Sequence, residues 1–394
     1  MLYRPDTFEP LTEKAWDEAE VRAGIRGVVA DAEAQYEPDA VWPVADEYDS
    51  RTTLYSGAAG AIWGLYSLQR RGYDTGLDLA DAARRALDAW RRQPDVAERL
   101  EPPVRTHASL YFGETGALLA AWRLAPSEDL ADDLHARVSA NWDHESNELM
   151  RGAPGTMLAA RAMLEWTGEE RWAEAWRWSG EELWRRRDED GLWMSPPYGR
   201  GLGAAHGVGT NASVLLQGGE LFPSERGEEL RRGTGEALAR FAVVEEGLAN
   251  WPLTAEDHPK LVGWDGQIRL QWCHGAAGVV ASAASFLDED LLLAGAELTW
   301  QAGPPNMEKG PGLCHGTAGS GYAFLKVFER TGDEVWLERA RRFAVHAFDQ
   351  IERWRVERGH GRPTLWTGDI GAALFAADCL EARTSMPVVD GLGS

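Results

Sequence analysis

Seven times along this chain of 394 residues, a short apolar or aromatic lead-in runs into Gly-x-x-Gly and then into a helical run of small apolar residues. Six copies are regular: LYSGAAGAIWGLYSL (Gly57, Gly60), LYFGETGALLAAWRL (Gly113, Gly116), LMRGAPGTMLAARAM (Gly152, Gly155), WCHGAAGVVASAASFL (Gly275, Gly278), LCHGTAGSGYAFLKVF (Gly316, Gly319) and LWTGDIGAALFAADCL (Gly368, Gly371). The fourth in chain order, AAHGVGTNASVLLQ, keeps Gly207 but carries Gly209 out of register. Consecutive copies lie 39 to 68 residues apart, room for two helices of about 12 to 16 residues and their loops. The repeating unit is therefore a helical hairpin.

Copies three and six spell out the second helix of the hairpin. TGEERWAEAWRW starts at Thr167 and TGDEVWLERARRF at Thr331, with Trp172 and Trp336 at the same offset from the glycines. In the latter, Trp336, Ala340, Phe343 and Ala347 form one apolar stripe, the pattern of a helix with one buried face. Helices that directly follow Gly-x-x-Gly are small and apolar around more of their circumference, as an inner ring crowded on both sides requires. Seven such hairpins predict an all-α fold, an α/α toroid or double α-barrel. The expected organisation is an N-terminal helical extension over 1–50, the barrel over 51–385 and a C-terminal tail over 386–394. Inner helices starting at one end of the ring would gather the lead-ins around a central cavity. The Gly/Pro-rich connections 188–205, 247–267 and 302–312 are expected to fold over that mouth. No strand-rich segment or second domain is expected.

Acidic residues outnumber basic ones by 63 to 40, giving a formal charge of −23. Such a surface repels polyanions, so nucleic acid is not an expected partner. The segment MLYRPDTFEPLTEKAWDEAE carries charges where a signal peptide needs an apolar run, and no apolar stretch reaches the about 18 residues of a membrane span. The expectation is a cytoplasmic protein with no membrane partner. Three cysteines make no disulfide framework.

Two of those cysteines occupy equivalent lead-in slots, Cys273 in Trp-Cys-His-Gly and Cys314 in Leu-Cys-His-Gly. The toroid makes them neighbours across the cavity. With a histidine after each, the site offers two thiolates and at least one imidazole, a ligand set suited to Zn²⁺. Three protein ligands would leave one open position, as catalytic zinc requires. A single cysteine beside a small-residue helix is ordinarily core, and that reading is kept for Cys379; duplication of Cys-His-Gly reverses it for the other two.

On these residues the chain resembles the lanthionine synthetase C-like family, a double α-barrel of seven hairpins around a catalytic zinc. The resemblance spans roughly residues 53 to 380 and all seven glycine motifs, with WCHGAAG, GPGLCHGTAGSGYAFL and AHGVG its most specific pieces. ELMRGAPG, QWCHGAAG and GLCHGTAG sit closer to the stand-alone eukaryotic-type members than to the lantibiotic cyclases. The resemblance implies Cys273, Cys314 and His315 as zinc ligands, with water or a substrate thiol as the fourth. It implies His206 as the acid/base histidine and Arg269 as the arginine that steadies developing negative charge. Glu148 stands where the cyclases use Asp. His274 matches no ligand and is read as packing behind the site. Two departures are the HGVGTN wording of copy four, which would alter the helix start under His206, and Thr367 in copy seven, where the family often has an acid.

The implied activity is zinc-dependent addition of a thiol to dehydroalanine or dehydrobutyrine residues in a peptide or protein. A zinc-bound thiol is deprotonated near neutrality, addition throws charge onto the carbonyl oxygen as an enolate, and protonation at the α-carbon needs a positioned acid. The expected partners are a dehydrated peptide or protein, glutathione in the intermolecular branch, and a separate dehydratase or kinase, because the chain has no length for one. Arg151, Arg200, Arg269 and Arg362 lie in lead-ins or mouth loops and are expected to supply positive charge for an anionic thiol. The alternatives are a non-catalytic zinc-stabilised peptide-binding scaffold, and a toroid glycosidase or terpene cyclase; duplicated Cys-His has no job in the latter two.

Overall fold

The computed structural model describes residues 1–42, 50–95, 107–263 and 266–392. Parts of four expected segments lie outside the described residues: 43–49 of the extension, 96–106 of the barrel, 264–265 of the 247–267 connection and 393–394 of the tail. The described residues form fourteen α-helices and one two-stranded hairpin. Seven are inner helices: α2 (Ala58–Gln69), α4 (Glu114–Leu124), α6 (Ala153–Thr167), α8 (Val208–Gln217), α10 (Ala276–Ala283), α12 (Thr317–Thr331) and α14 (Asp369–Glu381). Each begins at the residue after the first glycine of its motif. Each inner helix packs on the next, and α14 packs on α2, so the ring closes. No helix among the described residues is long and apolar enough to cross a membrane.

The outer helices are α1 (Glu18–Ala34), α3 (Leu79–Arg92), α5 (Glu128–Ala140), α7 (Glu170–Arg185), α9 (Ser224–Phe241), α11 (Glu289–Ala302) and α13 (Glu334–Arg358). The predicted stripe of α13 is buried at Trp336, Ala340, Phe343 and Ala347. Among the described residues no helix follows the last inner helix. It packs instead against α1, which lies in the segment expected to be an extension.

The second glycine of the motif has a steric cause. A Cβ at Gly60, Gly116, Gly155, Gly278, Gly319 or Gly371 would collide with the carbonyl oxygen of the residue six positions earlier, so the lead-in folds back flat against its own helix. Copy four has Thr210 in that slot, yet α8 still starts directly after Gly207. The expected disturbance of the helix start does not occur. Gly275, at φ +91°, is the one first glycine in the left-handed region that disfavours a side chain.

Folding back aligns the residues two places before each first glycine, and their backbones join hairpin to hairpin. Ala205 N donates to Cys273 O (3.3 Å), Cys273 N to Cys314 O (3.0 Å), Cys314 N to Trp366 O (2.9 Å), Trp366 N to Tyr55 O (3.3 Å) and Tyr55 N to Tyr111 O (3.1 Å). Six of the seven lead-ins thus form one ribbon around the mouth. The three connections are knitted beside it: Leu202 N donates to Leu253 O and Ala255 N to Arg200 O, while Glu9 N in the N-terminal arm donates to Pro304 O. A short hairpin interrupts the otherwise helical chain, β1 (Val243–Glu245) against β2 (Leu248–Asn250), with Val243 opposite Asn250. Its buried Asn250 accepts from Ala276 N at 2.7 Å, tying the hairpin to the first turn of α10.

Candidate active site

Because Cys273 and Cys314 hold the same slot in adjacent hairpins and share a backbone hydrogen bond, their side chains start from neighbouring points on the ribbon. Sγ of each and a ring nitrogen of His315 lie within 4.8 Å of one another. This trio could hold a metal ion. The donor set, two soft sulfurs and an imidazole, fits Zn²⁺. Both thiols are buried. A hydrogen bond from the Cys314 thiol holds Cys273 well below the usual thiol range against the opposing effect of burial, and the same contact with burial pushes Cys314 well above it. Cys273 is thus the more acidic thiol of the two. Gln271 Nε2 donates to Cys273 Sγ at 2.9 Å, a contact the sequence did not reveal. Cys379 is buried in α14, in the core as expected.

The second half of the site is a carboxylate–imidazole pair. Glu148 Oε2 lies 2.7 Å from His206 Nδ1. The Glu148 side chain is 0% exposed, and burial alone would raise its carboxyl. That effect is outweighed by the charge and hydrogen bond of His206, the Arg151 guanidinium and the backbone N–H of Met150, so the carboxyl sits below its ordinary value. Arg151 N also donates to it at 2.8 Å. Glu148 therefore both braces the loop before α6 and fixes the His206 ring, leaving Nε2 as the nitrogen not engaged by Glu148. The His206 ring stacks on His274 (centroids 5.3 Å apart), the neighbour of Cys273, which links the two halves. It also meets Tyr198, centroids 4.2 Å apart. Tyr198 comes from the 188–205 connection, whose placement over the mouth was legible, though its tyrosine was not.

Arg269 is half-buried in a cleft of about 370 Å³, together with Arg4, Asp6, Gln271, Glu308 and Lys309. The cleft shares Gln271 with the sulfur site. The four arginines expected at the mouth fare differently. Arg200 is committed to three carboxylates, Asp188 (3.2 Å), Asp190 (2.9 Å) and Glu256 (2.6 Å), and brings no uncompensated charge. Arg151 is buried beneath Tyr198, and Arg362 lies over the Trp354 ring at 5.3 Å with its backbone N–H bonded to Asp369. Only Arg269 lines the cleft. Thr367, in place of an acid, pairs with Thr364 at 2.8 Å.

Comparison with known proteins bears on the family and the fold. Residues 48–390 match the family described as Lanthionine synthetase C-like protein. A glutathione S-transferase LANCL1 of Danio rerio is 30% identical over 212 residues, 50% of this chain and 46% of that protein. The LanC-like protein GCL1 of Arabidopsis thaliana is 37% identical over 153 residues, 36% of this chain and 32% of that one. The chain thus matches less than half the length of each of these curated relatives. Among solved structures, nisin cyclase superposes with a TM-score of 0.59 at 17% identity, covering 91% of this chain and 94% of its own, a likeness of fold. The glycine motifs, the closed ring of hairpins and a family match over most of the sequence together establish that this chain belongs to the lanthionine synthetase C-like family.

Proposed function

We propose that this protein is a zinc enzyme that joins a thiol to the β-carbon of a dehydroalanine or dehydrobutyrine residue. The observation that carries the reading is the convergence of Cys273, Cys314 and His315 within 4.8 Å beside the Glu148–His206 pair. A scaffold would use the first set and have no need of the second. Zn²⁺ held by the three ligands would supply a substrate thiol in its thiolate form near neutral pH. This chain's residues then have separate tasks. Arg269, in the cleft, faces the charge that develops on the substrate carbonyl. His206 delivers a proton to the α-carbon while Glu148 holds its ring and balances the imidazolium.

Glutathione addition is favoured over cyclisation by the relative named as a glutathione S-transferase and by the cations Arg4, Arg269 and Lys309 in the cleft. The test is to incubate the protein with glutathione and a dehydroalanine peptide that lacks cysteine. The expected product carries one glutathione and forms more slowly as salt rises. If no adduct forms but a cysteine-bearing dehydrated peptide becomes cyclised and resists alkylation, the cyclase branch replaces this one. If neither product forms with zinc-loaded protein, the thiol-addition reading is wrong.

A further inference from the structure

Arg151 stands one place before the first glycine of copy three, the slot that His206 and His315 hold in copies four and six. Its residue is 4% exposed. Burying a guanidinium is costly unless its donors are used, and two other arginines of this chain use theirs on oxygens of high charge or strong dipole. Arg200 takes three carboxylates, and Arg186 takes the carbonyls of Asp143 and His144. Arg151 Nη2 instead donates to a phenol, Tyr198 Oη, at 3.0 Å, with the guanidinium carbon 5.0 Å from the same ring's centroid. Its Nε and Nη1 have no partner among the described residues. A loop brace would not be built this way.

The hydrogen-bond chemistry of the contact fixes the direction of the hydroxyl. A guanidinium has no acceptor, so Tyr198 must accept there and its O–H must be directed elsewhere. A cation on the oxygen lone pair also polarises that O–H and strengthens it as a donor. The ring carrying it lies against His206, the proposed proton source, at 4.2 Å between centroids. A polarised neutral donor thus sits on the same wall as the acid.

We infer that Tyr198 is a catalytic hydrogen-bond donor to the carbonyl oxygen of the dehydroamino acid, and that Arg151 is its positioning residue; this rests on the thiol-addition reading. As the sulfur lone pair forms the C–S bond at the β-carbon, the alkene pair shifts to the α-carbon–carbonyl bond and the carbonyl pair moves onto oxygen. That enolate oxygen accepts the Tyr198 O–H bond without taking its proton. When His206 gives its proton to the α-carbon, the carbonyl re-forms and the bond to Tyr198 weakens again; the proton that the substrate thiol lost to solvent on becoming a thiolate is the one that recharges His206, so the addition consumes no net proton. The donation is strongest in the transition state, so its loss should appear in kcat rather than KM.

The test uses zinc-loaded full-length protein. Tyr198→Phe is expected to lower kcat by about 10²-fold, as for removal of one oxyanion donor, with KM and zinc content little changed and the melting temperature lowered, because Arg151 Nη2 loses its acceptor. Arg151→Gln is expected to add less on the Tyr198→Phe background than it costs the parent, and what it still adds reports the Arg151 charge beside Glu148. Replacing Tyr198 by the more acidic 3-fluorotyrosine, which keeps fold and packing, is expected to raise kcat above that of Tyr198→Phe and to shift its pH dependence. A Tyr198→Phe protein with kcat within about two-fold of the parent, or a 3-fluorotyrosine protein no faster than Tyr198→Phe, overturns the inference. A parent protein that forms no thioether at all refutes the thiol-addition reading instead.

Discussion

Glu148→Gln separates the two jobs of a side chain that is both loop brace and partner of His206. Oε2 receives Met150 N (2.8 Å) and faces His206 Nδ1 (2.7 Å), while Oε1 receives Arg151 N (2.8 Å). An amide keeps one acceptor oxygen and points its NH₂ at one of those backbone donors whichever way it is turned. One buried N–H is then orphaned, at about 1–3 kcal/mol, and Arg151 loses its nearby carboxylate. The His206 imidazolium loses a charge-assisted bond worth about 1.5–3 kcal/mol, which corresponds to about 10- to 100-fold in rate. Metal analysis, calorimetry and kcat/KM for thioether formation by mass spectrometry read the three quantities separately. Zinc should stay bound, the melting temperature should fall by several degrees and the rate should drop by the stated factor. Glu148→Asp should recover part of the rate, because the charge returns. Because this carboxyl is held below its ordinary value, its stabilising effect is present above the unfolded value and lost only as pH falls through the lower folded one. The acid limb of a rate profile near neutrality therefore does not belong to Glu148. A lowered melting temperature with an unchanged rate would refute the catalytic half of the argument and leave only the brace.

Three further outcomes follow from single sites. Cys314→Ala should abolish binding of one zinc equivalent per chain, seen by elemental analysis, and remove the rise in melting temperature that zinc gives the parent. Asp369 is buried at the start of α14, where desolvation raises its carboxyl to about 7 against the backbone N–H of Arg362. A carboxyl raised on folding costs stability as pH climbs from the unfolded to the folded value, so Asp369→Asn should melt higher than the parent at pH 8, with the gap closing toward pH 4. Asp378, fully buried, is held by Arg71 at 2.6 Å and by the Tyr322 hydroxyl at 2.5 Å; Arg71→Met should cost about 3–5 kcal/mol in denaturant titration by stranding it, and a combined Arg71→Met, Asp378→Leu protein should recover much of that.

What the sequence revealed and what it hid divide along one physical line. The ring was legible because a glycine forced by a carbonyl six residues back recurs in the same register, and six of the seven copies keep it. Cys273 and Cys314 were legible for the same reason, since equivalent slots in adjacent hairpins become neighbours when their backbones join. Tyr198 was not, because the 188–205 connection belongs to no repeat and its path depends on contacts with residues 253–256. The neutralising of Arg200 was hidden likewise: its partners lie 10, 12 and 56 positions away, outside any helical or strand period. Completing the outer layer with α1 is also a tertiary event, since α1 packs against α14 from the other end of the chain.

Losing Arg200, Arg151 and Arg362 as free mouth cations changes how an anionic thiol would be held in a chain of charge −23. The cleft by Gln271 carries three cations, Arg4, Arg269 and Lys309, and two carboxylates, Asp6 and Glu308, among its described residues. Arg4 is bound to Asp6 at 2.6 Å and Lys309 lies 3.9 Å from Glu308. Both pairs are at the surface, where such contacts are worth about 0–1 kcal/mol and yield readily to another anion. A carboxylate of the ligand therefore needs no strongly positive field. On the proposed function it would exchange partners with Asp6 or Glu308, leaving Arg269, in the cleft that shares Gln271 with the sulfur site, for the reacting carbonyl. On the same reading the overall acidity would act as a filter against polyanions, and the small local excess of positive charge would suit a thiol carrying one or two carboxylates.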